Sequence, residues 1–218
     1  MGEAKDEIEL AQDEIKKINE LWFISWEKDY VTKYVEMCDE LVKSIDSFEN
    51  LTEGVKGIAA FTEKLVAAVS KMKQAFDYIN TAVNQNNARS HSAARSNCDQ
   101  AITLCNEAES LLNEANTMQE DAGLDPVVSY ASGLKALASL QRQCAEAGSA
   151  GKVAAYNRLI NEFNVDKSKL NLNTPPVISD TQGWVQDRLK KYLDDIKEHA
   201  NKADELRKEI DSLYWANH

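Results

Sequence analysis

Three histidines (His91, His199 and His218) and four cysteines (Cys38, Cys98, Cys105 and Cys144) are the residues whose types suit acid–base, nucleophilic or metal chemistry. Nucleophilic catalysis needs a nucleophile, a base within hydrogen-bond reach and a third group that orients the base. His91 stands between Ser90 and Ser92, and reads as a solvated loop residue rather than a general base. His199 follows Asp195 by one helical turn, the spacing of a surface helix pair. His218 ends the sequence.

No Glu-x-x-His occurs, so the ligand pattern of di-iron bundles is missing. The cysteines lack the close Cys-x-x-Cys pairs that zinc sites use. No Walker, dinucleotide-binding, EF-hand or HExxH pattern is present. On a helix, Cys98 and Cys105 would be separated by about 10.5 Å along the axis, beyond the roughly 7 Å that a disulfide can bridge. All four cysteines are therefore read as thiols on apolar stripes. The reading predicts no catalytic residue, no metal and no cofactor.

Charge narrows the partners. The chain has 36 acidic and 25 basic side chains and a formal net charge of −11. Such a surface repels phosphate backbones, which excludes nucleic acid as an expected partner. Against that background NQNNARSHSAARSN, Asn84 to Asn97, holds Arg89, His91 and Arg95 and no carboxylate. Asn and Ser compete with helical hydrogen bonds, so the stretch is expected to be the tip of a helical hairpin. Arg89, His91 and Arg95 are its candidates for meeting a carboxylate-bearing partner.

Two aromatic clusters are further candidates. LWFISW places Trp22 and Trp26 on one helix face and Phe23 on another, and LYW at Leu213–Trp215 adds Tyr214 and Trp215. Aromatic rings dominate interface energetics, which makes these five residues expected partner contacts. The most apolar segment, Gly57–Met72, carries Ile58, Phe61, Leu65 and Val69 as candidate membrane contacts, with Gly54 and Gly57 as a hinge. Glu63, Lys64 and Lys71 interrupt it, and a buried bundle helix needs the same stripe, so core packing is the favoured reading.

The elements that position these residues read as helices. Apolar residues recur at three and four from Ile8 to Phe48, in one helix or two end to end, and from Val55 to Val83 in another. A third stripe runs Ala94, Cys98, Ala101, Cys105, Ala108, Leu111, Ala115 and Met118, capped near Ser92 or by Ser96 with Asp99. Asp125–Pro126 opens a fourth helix, which Gly148–Gly151 closes, and a short fifth spans Lys152–Phe163. Pro175 and Pro176 mark an extended connection near 171–179. The last helix, Asp180 to about Trp215, has the seam Val185, Leu189, Tyr192, Ile196, Ala200, Ala203, Leu206, Ile210 and Leu213. No stretch alternates with the period of a strand. The expected fold is all-α: one elongated antiparallel bundle of about five to six helices over 1–218, with coiled-coil-like packing.

The opening residues MGEAKDEIEL do not resemble a secretory signal, and no apolar run approaches the about 20 residues that span a bilayer. A cytoplasmic protein, or one secreted without a cleavable signal, is expected. The leading functional expectation is a non-enzymatic interaction or assembly protein, binding another protein or itself through helix faces. The alternatives are a secreted helical effector or pore-forming-toxin-like component that rearranges at membranes, and an acidic inhibitor or immunity protein for a basic partner.

Overall fold

A computed structural model of the chain describes residues 2–19, 25–170 and 178–217. It is an all-α helical bundle, with no strand among the described residues. The described residues form six α-helices in order: α1 (Gly2–Asn19), α2 (Ser25–Asn87), α3 (His91–Met118), α4 (Asp125–Ser149), α5 (Val153–Lys169) and α6 (Ile178–Ala216). A 3-10 turn, Glu120–Ala122, joins α3 to α4 and closes on Gly123 in the left-handed conformation. Pro126 falls in the first turn of α4, as its fixed φ favours. The connection expected near 171–179 falls mostly on 171–177, outside the described residues.

The chain divides into two compact units, Met1–Lys56 with Val185–His218, and Gly57–Trp184. In the first, α1 runs antiparallel to the start of α2. Lys5 pairs with Asp46 at 2.5 Å, and the buried Gln12 side chain donates to Asp39. The end-to-end arrangement allowed by the sequence is thus replaced by a hairpin, with α1 ending at Asn19 and α2 beginning at Ser25. α6 is antiparallel to the same part of α2, as the pairs Lys33–Glu209 and Glu40–His199 show.

The α6 seam is a stricter heptad than expected, because His199 takes the place read for Ala200. Steps of four and three alternate from Val185 through Ile196, His199 and Ala203 to Leu213, whereas Ala200 is exposed. His199 therefore faces Glu40 on α2 and not Asp195 on its own helix.

The second unit holds the main core. Phe61, Leu65, Met72 and Ile79 of α2 pack against Cys105, Leu112 and Ala115 of α3, Leu134 and Leu137 of α4, and Phe163 of α5. Lys64–Glu114 and Lys71–Glu107 set α2 antiparallel to α3; Lys135–Glu109 and Arg142–Asp99 do the same for α3 and α4. The buried face of α3 is Ala94, Cys98, Ala101, Cys105, Ala108, Leu112 and Ala115. Leu112 replaces the expected Leu111 because it continues the alternation of four and three, and Met118 is exposed.

Two glycines read as a hinge lie inside α2. A Cβ on Gly54 would sit 2.6 Å from Cε2 of Tyr192, so this glycine lets a ring of α6 touch the backbone. One on Gly57 would meet only Gln119 Nε2, at 3.5 Å. Glycine weakens a helix by about 1 kcal/mol without ending it, and α2 is helical at both positions.

Candidate functional site

The stretch Asn84–Asn97 is mostly helix. Only Ala88, Arg89 and Ser90 connect α2 to α3. Arg89 has φ of 61°, the left-handed region. The Arg89 N–H donates to Asn86 O at 3.0 Å and the Ser90 N–H to Gln85 O at 2.8 Å. This pair of bonds is a Schellman motif, which normally places glycine where Arg89 stands. The end of α4 uses the same motif with Gly151 at φ 65°: the Gly151 N–H donates to Gly148 O and the Lys152 N–H to Ala147 O. The helix caps expected at Ser92 and Ser96 are not formed, because α3 has already begun at His91.

The two turns face a common cleft of about 580 Å³. Arg89 comes from one turn, Lys152 from the other, and His91 and Tyr156 from the first turns of α3 and α5. The His91 and Tyr156 rings meet edge-on, with centroids 6.1 Å apart. Behind them Asn86 is 2% exposed and makes a buried network at the last turn of α2. Its Nδ2 donates to Gln141 O at 3.1 Å and to Gln141 Oε1 at 3.0 Å, so its Oδ1 faces His91 Nδ1 at 3.1 Å. An amide oxygen only accepts, which fixes the proton on Nδ1 and leaves Nε2 as the basic nitrogen of the neutral ring. The network ends in Gln141 Nε2, buried without a partner among the described residues.

No carboxylate among the described residues lines this cleft. Glu146, nearby on α4, is held by Arg142 at 2.9 Å and by Arg95 at 4.0 Å. Arg95 is thus drawn into a surface ion pair and does not line the cleft, unlike Arg89 and His91. Lys152 and Tyr156 were not expected; their signal was the Gly148–Gly151 turn, which repeats at the end of α4 the geometry found at Arg89.

The aromatic candidates separate. Trp22 and Phe23 lie outside the described residues, and Trp26 is half-buried. Trp215 is 76% exposed and Tyr214 42% exposed at the end of α6, their rings edge-to-face with centroids 5.3 Å apart. Of the membrane candidates, Phe61 and Leu65 are buried, Val69 packs against the core, and Ile58 is half-buried. The Phe61 ring lies 5.3 Å from that of Trp184. No helix among the described residues is long and apolar enough to cross a membrane.

All four cysteines are buried free thiols. Burial pushes Cys98 and Cys105 up to about 12 and Cys144 to about 11. Such thiols stay protonated at neutral pH and are poor nucleophiles. Among the described residues no group of three or more His, Cys, Asp or Glu could hold a metal ion. In the first unit a groove is lined by Glu36, Asp39, Glu40, Glu205 and Glu209, with Lys43 and Lys202. No family model, curated protein or solved structure matches this chain.

Proposed function

We propose that this chain is a non-enzymatic interaction protein that engages another protein, or a second copy of itself, through helix faces. The exposed pair Tyr214–Trp215 carries the reading. Two adjacent aromatic rings in water are costly to leave uncovered and form the usual anchor of an interface. Sedimentation velocity over a wide concentration range, beside affinity capture from the native source, tests it. Self-association or a retained partner, lost in Tyr214→Ser/Trp215→Ser protein of unchanged helicity, is the expected result. A monomer at every concentration that retains the same proteins with and without the two rings sinks the reading.

The carboxylate-lined groove of the first unit supports a second reading, an acidic inhibitor of a basic protein. Its mark is a partner released by moderate salt, since exposed charge pairs are screened. The membrane reading has less support, because releasing the Gly57–Met72 segment would strip Phe61, Leu65 and Met72 from the core.

A further inference from the structure

We propose that the cleft between the α2–α3 and α4–α5 turns binds the phosphate group of a small organic molecule, with Arg89 and Lys152 as its ligands. The proposal goes beyond the interaction reading and does not depend on it. Carboxylates outnumber cations in this chain by 36 to 25. Most of its described basic side chains on packed faces have found an acidic partner, among them Lys33, Lys64, Lys71, Lys135 and Arg142. Among the described residues Arg89 and Lys152 stand in no ion pair, and no carboxylate joins them in the wall of the cleft they line. The volume of about 580 Å³ is that of a small-molecule site.

The arrangement of donors favours phosphate over a planar carboxylate. Arg89 and Lys152 reach the cleft from two different turns, and two separate cations suit the double charge and three free oxygens of a phosphate better than the single charge of a carboxylate. The ring of Tyr156 and the exposed side chain of Val153 supply apolar wall for the rest of the ligand. His91 is held in one orientation by Asn86, so its ring need not be ordered when ligand arrives. The backbone at Arg89 adds a separable prediction. Glycine suits its left-handed conformation better, so removing the side chain relieves the turn while removing a ligand.

The experiment is an NMR titration of the full chain with phenyl phosphate, benzoate and inorganic phosphate at constant ionic strength, following the His91 ring and the Gly151 and Lys152 amides. Saturable one-to-one binding of phenyl phosphate is expected, with benzoate at least about tenfold weaker and inorganic phosphate intermediate. Arg89→Gly and Lys152→Gln should each weaken phenyl phosphate about tenfold, while Arg89→Gly unfolds at a higher temperature than the native chain. Absence of saturable shifts, equal affinity for benzoate, or unchanged binding by both folded variants overturns the proposal.

Discussion

The imidazole of His91 lies flat against the backbone of Gly148, so close that a Cβ there would stand 2.3 Å from Cε1 and 2.5 Å from Nε2. In a helix without such a neighbour, Gly→Ala gains about 1 kcal/mol. Here the sign should reverse. Gly148→Ala is expected to destabilise the chain by about 1–3 kcal/mol through overpacking, and to displace the His91 ring from Asn86. Urea unfolding and the His91 ring resonances check both; a stabilised variant with an unmoved imidazole contradicts the packing described.

Gly54 and Gly57 make a paired test of the same physics three residues apart. Gly54→Ala drives a methyl into the Tyr192 ring and is expected to cost about 1–3 kcal/mol. Gly57→Ala meets only ordinary contact with Gln119 and is expected to stabilise by about 0.5–1 kcal/mol. Thermal melts of the two variants should move in opposite directions. A hinge at these positions would instead make both stiffen the helix alike.

Acid should loosen the tie between α2 and α6. Hydrogen bonds from Lys43 and then from His199, at 2.7 Å, hold the Glu40 carboxyl below its ordinary value. A carboxylate depressed in the folded state contributes stability that is full above its unfolded pKa of about 4.3 and fades as pH falls through the folded value. Helicity followed by circular dichroism should therefore decline below about pH 4, and Glu40→Gln should flatten that limb while lowering stability at neutral pH. An unaltered acid profile in the variant would remove Glu40 from the account.

The thiols offer a measure of native opening. With Cys98 and Cys105 pushed up to about 12 and Cys144 to about 11, and all four cysteines buried, Ellman's reagent should react only as the chain unfolds. Reaction rates should track urea concentration as the unfolding rate does. A fast phase in native buffer would reveal an accessible thiolate.

Helix class and most seams were legible in the sequence because burial imposes a period, and Ala94, Cys98, Ala101 and Cys105 keep that period almost without exception. What misled was local chemistry overridden by tertiary contact. Asn84, Asn86 and Asn87 are poor helix formers, yet Asn86 is worth more inside, bonded to Gln141 and His91, than in a solvated loop. Gly54 looked like a break because the reason for it, Tyr192, is distant in sequence. The same distance hid Glu40 from His199 and Lys152 from Arg89. Composition marked the carboxylate-free stretch, but only the fold brings the second turn to it.

The narrow inward face of α3 has a further consequence. Six of its seven buried positions are alanine or cysteine, and neighbouring helices close directly over them. A saturation library should find these sites accepting little beyond Ala, Ser, Cys and Gly, while the outward side of the same helix tolerates nearly any polar residue. Copies of this chain that drift apart over generations would then stay recognisable by a ladder of tiny side chains long after their surfaces had ceased to resemble one another.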